Sequence, residues 1–317
     1  MRTCYGFLVE CSVHPDATYV PELFFGPEPV GGPDQVTSSG PVVRITIDVA
    51  EDAGGPVIEP PYFPENWEHA DEITIDVGRS SAVVDPVAWT VRVSLARADL
   101  PDQIVWGRWV LERAFVYLVC RSPRHYPLHA GGVSVNGRTA VVTADSGVGK
   151  STFTAWALRS GADFAGEDIL VRHMDDPSGT FWGYPRVTYL SPELLEMWPQ
   201  LDRALSAPVP NRNKSRVILP KPFEPRMRPG SEPYCLLFLT RGDGELRPVD
   251  ADDAIERCRS DFATGKLGPS VEADVEKDLR RQLDGMPVWE LALSADLEAN
   301  YQTVVSAMTA EPGAGGR

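Results

Sequence analysis

The chain has few cysteines, and none of them stands in a paired metal-binding spacing. The five are Cys4, Cys11, Cys120, Cys235 and Cys258. Their odd number and scattered positions are typical of free thiols in a reducing cytoplasm. His125 and His129 are four residues apart, but Pro127 between them opposes the helix that would bring both rings onto one metal ion. A zinc site is therefore not expected.

Long hydrophobic runs are also missing. No stretch approaches the roughly 18 uninterrupted apolar residues of a membrane span. Residues 1–5 lack the apolar core and the cleavage site of a signal peptide. The most hydrophobic helix candidate, residues 104–120, carries Arg108, Glu112 and Arg113, which favours a buried helix of the core. We therefore expect a soluble, cytoplasmic protein with no membrane partner.

Positive charge is scarce as well. The chain has 45 acidic and 30 basic residues and a formal net charge of −15. Binding of duplex nucleic acid depends on neutralising phosphates with Lys and Arg, so no nucleic-acid partner is expected. A pocket for one nucleotide needs only a local positive cluster. With 317 residues, 43% of them hydrophobic, the chain is long enough to bury a sizeable core.

The strongest sequence motif is a glycine-rich segment that directly follows an apolar run. Residues 139–143 (TAVVT) favour a strand, and residues 144–151 (ADSGVGKS) have the spacing of a phosphate-binding loop that opens a helix. In such a loop the backbone amides point at phosphate oxygens, and the positive end of the helix faces the anion. The predicted nucleotide contacts are Asp145, Ser146, Gly147, Val148, Gly149, Lys150, Ser151 and Thr152.

Two of these residues have specific expected roles. Lys150 would reach the β- and γ-phosphates of ATP or GTP, and Ser151 would hold Mg²⁺ through its hydroxyl. The alternative is a glycine-rich turn that binds nothing. A lysine beside the positive pole of a helix has little purpose without an anion, and this favours the phosphate-binding interpretation.

A pair of acids, Glu167 and Asp168, interrupts a β-forming run at residues 164–171. Transfer of a phosphoryl group to a hydroxyl needs charge neutralisation and a group that accepts the hydroxyl proton. One carboxylate would hold Mg²⁺ alongside Ser151, and the other would face the acceptor. The alternative is a polar strand edge or a salt bridge. Neighbouring residues of a strand point to opposite faces, so at least one acid should be buried or lie at a strand end.

The pattern of elements predicts an α/β fold with three regions: β-rich residues 1–100, a nucleotide-binding domain at 101–310, and a disordered tail at 311–317. A Pro/Gly stretch at 26–33 is predicted as a loop, and Asn136-Gly137 as a hairpin turn. Predicted strands cover 44–49, 73–77, 89–95, 132–135, 138–143, 234–239 and 288–293. Predicted helices cover about 102–120, the segment after Lys150, 191–198, 251–258 and 299–308.

Basic residues cluster in the proline-rich segment 208–229, which holds Arg212, Lys214, Arg216, Lys221, Arg226 and Arg228. This segment is either a solvated loop or a lid that contacts the substrate. Arg186 and Arg216 are candidate phosphate or substrate contacts, because a planar guanidinium matches phosphate oxygens. The alternative for each is an ordinary ion pair.

The loop and the acid pair together resemble the kinase domain of bacterial HPr kinase/phosphorylase. In that family the loop typically reads GDSGVGKS, and two adjacent aspartates follow it; here 18 residues separate Lys150 from Asp168. His129, within Leu-His-Ala at 128–130, matches a His-Ala pair before the family's hairpin. The resemblance implies a P-loop kinase core of the HPr kinase/phosphoenolpyruvate carboxykinase type, a mixed sheet with flanking helices. It also implies that Glu167 is the proton acceptor beside His129, and that Asp168 is on the metal side.

The chain is also similar to the looser group of HPr-kinase-like proteins of peptide natural-product clusters, which includes kinases acting on the terminal serine of lasso peptide precursors. The match includes GYPR at 183–186 and PVWEL at 287–291. It implies a hydroxyl acceptor on a peptide, a small protein or a small molecule. The chain departs from the family pattern at Ala144, Thr152 and Glu167.

Two alternatives to a kinase stay open. Ala144 and Glu167 favour a nucleotide-binding regulatory or assembly protein that transfers no phosphate. A carboxykinase-type reaction shares the same kind of core, but it would require an oxaloacetate site that the sequence does not reveal. Whether the chain forms a homo-oligomer is also left open.

Overall fold

The computed structural model describes residues 2–26, 41–51, 55–61, 63–65, 67–198, 201, 205–260 and 269–310. The predicted tail at 311–317, and the predicted loop at 26–33 apart from Gly26, lie outside these residues. The fold is mixed α/β, with several sheets and flanking helices, as the sequence predicts. No helix within the described ranges is both long enough and apolar enough to cross a bilayer.

The N-terminal part is a six-stranded mixed sheet in the order β1-β2-β3-β6-β5-β4. Its elements are β1 (Arg2–Cys4), β2 (Phe7–Val13), α1 (Tyr19–Phe25), β3 (Val42–Ala50), β4 (Ile73–Asp76), β5 (Ser81–Asp85) and β6 (Thr90–Ala96). Single 3₁₀ turns lie at Pro15–Ala17 and Arg97–Asp99. Alternate residues of β3, including Ile45 and Ile47, are buried, which is the pattern of a sheet with one solvated face.

A long helix follows and packs on this sheet. Its first part, Ile104–Glu112, is a π-helix, and its second part is α2 (Arg113–Arg121). The helix predicted from about residue 102 is confirmed; it begins at Ile104 because the Asp102 carboxylate accepts the Ile104 amide at 2.8 Å. The helix contributes Trp106, Phe115 and its neighbours to the hydrophobic core of the N-terminal sheet. The N-terminal sheet and this helix therefore share one core.

The second part of the chain is built on a six-stranded sheet in the order β10-β8-β9-β17-β19-β18. Its strands are β8 (Ala130–Val135), β9 (Arg138–Ala144), β10 (Asp163–Gly166), β17 (Pro233–Arg241), β18 (Leu246–Pro248) and β19 (Val288–Leu293). Strands β9, β17 and β19 are parallel. The β8–β9 hairpin is confirmed, with Asn136 and Gly137 both at positive φ, 52° and 78°.

Two smaller antiparallel sheets flank it. One has the order β16-β12-β11-β7 and the other β13-β15-β14. Their strands are β7 (His125–Leu128), β11 (Leu170–His173), β12 (Phe181–Trp182), β13 (Val187–Leu190), β14 (Ser206–Pro208), β15 (Ser215–Ile218) and β16 (Gly230–Ser231). The helices of this part are α3 (Lys150–Arg159), α4 (Pro192–Glu196), a 3₁₀ helix at Lys221–Arg226, α5 (Ala251–Ser260), α6 (Pro269–Leu283) and α7 (Leu297–Thr309).

Most predicted elements of this part are confirmed, but two helices differ from the prediction. Helix α4 has the predicted Ser191 cap, with the Ser191 hydroxyl accepting the Leu194 amide at 3.4 Å. It ends at Glu196 instead of Trp198, whose buried ring packs edge-on against Phe223. Helix α6 has no counterpart among the predictions.

A buried pair of histidines joins strands β7 and β11, where His125 is paired with His173 and their ring centroids lie 4.5 Å apart. Both side chains are buried; Phe7 packs against both rings, and Trp89 packs edge-on against His125. Burial of the ring, reinforced by the charge of His173, lowers the pKa of His125 from its ordinary 6.5 to about 3. The folded protein therefore holds this imidazole neutral at a pH where the unfolded chain would protonate it.

We expect this histidine to weaken the fold in acid. Below about pH 6.5 the unfolded chain binds a proton on His125, whereas the folded protein does not. The free energy of unfolding is therefore highest above that pH and falls progressively toward pH 3, by about 2 kcal/mol at pH 5. Urea unfolding at pH 7.5 and pH 5 should show a smaller loss in His125→Phe than in the wild type. An equal loss in both proteins would contradict the prediction.

Candidate active site

A glycine-rich loop, residues 145–149, connects the end of β9 to the first residue of α3. Gly147 and Gly149 adopt φ values of 84° and 136°, a region that favours glycine. At Gly149 a Cβ would also lie only 3.0 Å from the Leu293 side chain. The structure therefore contains the predicted succession of strand, loop and helix. The backbone conformation requires glycine at both positions.

The loop is held at the edge where the parallel strands end. Arg241, the last residue of β17, donates from Nη2 to the Gly147 carbonyl at 2.9 Å. Within the loop the Val148 amide donates to the Asp145 carbonyl at 3.2 Å. Ligands of open α/β sheets bind outside the carboxyl ends of the strands, and this loop lies at that place. Sequence reasoning did not single out Arg241.

Lys150 is the first residue of α3, and only 7% of it is exposed. The next two residues, Ser151 and Thr152, are half-buried on the first turn. An ammonium at this end of a helix lies against the positive pole of the helix dipole, which favours a nearby negative charge. The Asp168 carboxylate is one such charge, because Lys150 has the largest effect among the positive groups that lower its pKa.

Asp168 lies beside His129, with 3.5 Å between Oδ1 and the imidazole Nε2. Its backbone φ is 72°, an uncommon value for a residue with a side chain. Both side chains are about two-fifths exposed, at 42% and 38%. Thr143, the residue before the end of β9, donates from its hydroxyl to the His129 carbonyl at 3.3 Å. The pair therefore lies next to the start of the glycine-rich loop.

The electrostatic surroundings keep Asp168 ionised. Burial raises the pKa of its carboxyl, but the positive charges of Lys150, His129, Arg108 and Lys214 together lower it below the ordinary value. Lys150, Arg108 and Lys214 are cations from three segments of the chain, and His129 adds positive charge when it is protonated. This is a local positive cluster in a protein whose net charge is strongly negative.

Glu167 lies with Asp168 in the bend between β10 and β11, and its side chain makes other contacts. Its side chain is buried at 5% exposure, and Oε2 accepts bonds from the Thr188 hydroxyl and from the Tyr189 amide, the latter at 3.1 Å. The structure pairs His129 with Asp168, and the assignment of Glu167 as the proton acceptor beside His129 stays a prediction. Glu167 is engaged in holding strand β13.

Two further cations belong to the site. Lys214, from the turn between β14 and β15, donates from Nζ to the Ser151 Oγ at 3.0 Å. Arg108 comes from the π-helix and lies 4.7 Å above the Tyr189 ring. Lys214 was part of the predicted basic segment, but Arg108 was assigned only to the core. The position of Arg108 within so apolar a helix was the one signal in the sequence that could have indicated its place at the site.

The other two predicted arginines are engaged elsewhere. Arg186 forms an ion pair with Glu224 at 2.9 Å, and its predicted phosphate contact stays a prediction. Arg216 is fully buried and pairs with Glu112 at 2.9 Å. Its Nη1 also donates to Gln103 at 2.9 Å, and a Cβ at Gly107 would lie 2.9 Å from its guanidinium. The prediction for Arg216 is corrected, because a guanidinium enclosed in the core cannot meet a phosphate at the loop.

We expect Arg216→Met to destabilise the fold by about 3 kcal/mol or more, since it leaves the Glu112 carboxylate without its buried partner. Urea unfolding measures this loss. The double variant Arg216→Met with Glu112→Gln should recover part of it, because no uncompensated charge stays behind. Arg212→Met, at an exposed position of the same segment, is the control. Equal stability of the Arg216 and Arg212 variants would show that the pair is not structural.

The donor groups at the loop fit a magnesium ion. Mg²⁺ prefers oxygen ligands and keeps several waters, taking one or two protein carboxylates together with substrate phosphates. Ser151 and Asp168 offer a hydroxyl and a carboxylate, and the Lys214 ammonium shows that this hydroxyl accommodates a cation. Across the described ranges, no group of three or more His, Cys, Asp or Glu side chains could hold a metal. A magnesium ion here would depend on nucleotide and water for its other ligands.

Comparison with known proteins shows distant structural similarity. No protein-family model matches the chain, and no curated protein does. Among solved structures, the chain is similar to the HPr(Ser) kinase/phosphatase from Coxiella burnetii, with a TM-score of 0.32 and 10% sequence identity. The match covers 58% of this chain and 99% of that one. This level of similarity indicates a distant structural relationship and carries no argument about activity.

Proposed function

We propose that the protein is a Mg²⁺-dependent kinase that transfers the γ-phosphate of ATP or GTP to a serine-type hydroxyl. The observation that carries the proposal is the convergence of Lys150, Ser151, Lys214 and the Asp168–His129 pair at the glycine-rich loop. Phosphoryl transfer depends mainly on positioning and on neutralising the charge of the phosphate oxygens. A glycine-rich loop surrounded by cations supplies both.

Each residue has a defined part in this proposal. Lys150 and the amides of residues 145–149 stabilise the phosphates, and Ser151 with Asp168 would hold Mg²⁺. The ion, when bound, neutralises charge between the β- and γ-phosphates. The acceptor oxygen attacks the γ-phosphorus, the bond to the bridging oxygen breaks, and the nucleoside diphosphate leaves. The hydroxyl proton moves to the His129–Asp168 pair, where the carboxylate offsets the new charge on the imidazole.

Glu167 is a positioning residue in this scheme. Through its bonds with Thr188 and Tyr189 it fixes strand β13 against the segment that carries Asp168. Tyr189 in turn lies beneath Arg108, one of the cations that act on Asp168. The buried Glu167 carboxylate therefore helps to fix Tyr189, on which Arg108 packs.

The acceptor we favour is a serine of a ribosomal peptide in a natural-product pathway, because the sequence resembles kinases of such clusters. Small proteins and small molecules with a similar hydroxyl are the other candidates. Incubation with γ-labelled ATP or GTP, Mg²⁺ and candidate peptides tests this, with each peptide paired to a copy in which alanine replaces serine. Label is expected only on the serine peptide. Hydrolysis of the nucleotide without any labelled acceptor would count against the kinase.

A nucleotide-binding regulatory or assembly protein is the second candidate. The observation that favours it concerns Glu167, the acid that the family resemblance assigns as the proton acceptor. Its carboxylate instead accepts hydrogen bonds from Thr188 and Tyr189 of strand β13. Such a protein would bind nucleotide with Mg²⁺ and label no acceptor. Lys150→Ala would abolish its binding to a partner, and Glu167→Gln would leave its activity intact.

A further inference from the structure

We propose that Lys214 contacts the γ-phosphate of the bound nucleotide and so makes the site select a triphosphate over a diphosphate. This inference rests on the proposed function, since it assumes that the glycine-rich loop binds a nucleotide. The observation behind it is the Lys214 Nζ, 3.0 Å from the Ser151 Oγ, on a segment 63 residues further along the chain. No motif at residues 144–151 implies this residue.

The backbone that carries Lys214 is firmly placed. The Val209 amide donates to the Lys214 carbonyl at 2.8 Å, and the Arg212 amide donates to the Val209 carbonyl at 3.2 Å, which closes a tight turn. Asn211 in this turn adopts a φ of 57°. Two residues after Lys214, the buried Arg216 anchors β15 in the core. The long Lys214 side chain is thus an exposed, movable group on a fixed base.

The charges at the site favour an anion beside Lys214. Lys150, Arg108 and Lys214 act on Asp168 as cations, and the other carboxylate that acts on Arg108, Glu112, is already paired with Arg216. Positive groups are therefore in excess beside Asp168. A neutral hydroxyl is also a weak partner for an ammonium in comparison with a phosphate oxygen, because hydrogen bonds between two charged groups are the stronger ones. Lys214 would therefore exchange Ser151 for a phosphate oxygen when nucleotide binds.

The position of Lys214 indicates which phosphate it meets. Lys150 would meet the β- and γ-phosphates from the N-terminus of α3, and Ser151 would hold a magnesium ion that neutralises part of their charge. Lys214 approaches Ser151 from the β14–β15 turn, outside the loop, and would meet the γ-phosphate there. A diphosphate has no group at that position.

Equilibrium binding of Mg²⁺ with ADP and with a non-hydrolysable ATP analogue tests the inference. Lys214→Met should weaken binding of the ATP analogue roughly 10- to 100-fold, the loss expected for one charge-assisted hydrogen bond, and should change ADP binding by less than about 3-fold. Lys214→Arg should retain most of the preference. Arg212→Met, in the same turn and equally exposed, should leave both affinities as in the wild type.

The outcomes separate this inference from the proposed function. A wild-type protein that binds neither nucleotide with Mg²⁺ would overturn both. If the wild type binds nucleotide and transfers phosphate, but Lys214→Met weakens the two nucleotides equally or not at all, only the role of Lys214 is overturned. A thermal unfolding curve for Lys214→Met that matches the wild type would assign any loss of binding to the missing ammonium.

Discussion

Lys150→Met is expected to reduce kcat/KM for phosphate transfer by at least about 100-fold, the scale of removing one preorganised charge from a developing anion. The ammonium lies at the positive end of α3, behind the glycine-rich loop, and is the leading positive influence on Asp168. Methionine has a similar length and no charge, so it fits this buried position. Initial rates with γ-labelled nucleotide measure the change.

Lys221→Met is the matched control for this substitution, because it removes a lysine from an exposed position on the 3₁₀ helix. The control should transfer phosphate at the wild-type rate. Both variants should unfold at the wild-type temperature within a few degrees. If Lys150→Met kept more than about a tenth of the activity, the assignment of the loop to phosphate binding would be wrong.

Asp168→Asn should lower kcat by about 100- to 10,000-fold, the range for loss of a positioned acid–base group. The substitution removes the negative charge that faces His129 and the surrounding cations, and it keeps the shape of the side chain. Asparagine also tolerates a left-handed backbone better than most residues, so the φ of 72° at this position should survive. Single-turnover rates at saturating nucleotide measure the chemical step directly.

Glu167→Gln distinguishes the two acids. Its amide oxygen can still accept a bond from Thr188 or Tyr189, so we expect a loss of about 1 kcal/mol in stability and less than about 10-fold in kcat. The variant must be compared with Asp168→Asn under conditions where both are folded. If Glu167→Gln lost as much activity as Asp168→Asn, Glu167 would be the proton acceptor after all, as the family resemblance implied.

The parts of the site that lie close together in the sequence could be predicted from it. An apolar strand, two glycines at positive φ and a lysine at the head of a helix follow one another at residues 139–150, and their geometry is local. The same holds for the Asn136-Gly137 hairpin. In each case a backbone rule fixes the arrangement without any distant partner.

The long-range contacts could not be predicted. Arg241, Lys214 and Arg108 reach the site from separate strands, turns and helices, and only the tertiary fold brings them together. Arg216 shows the reverse case, in which an arginine within a basic segment points into the core, where Glu112 and Gln103 bind it. By contrast, the signal for α6 was present: Val271, Val275, Leu279 and Leu283 repeat every four residues along one helix face.

One consequence follows from the π-helix that carries Arg108. This helix is packed into the core of the N-terminal sheet, yet its arginine acts on the carboxylate beside the glycine-rich loop. Removing the first 121 residues would therefore do more than delete a neighbouring sheet: it would remove one of the cations that act on Asp168 and the side chain that packs over Tyr189. The two halves of the chain are not interchangeable modules, and a graft of either onto another protein would deliver an incomplete site.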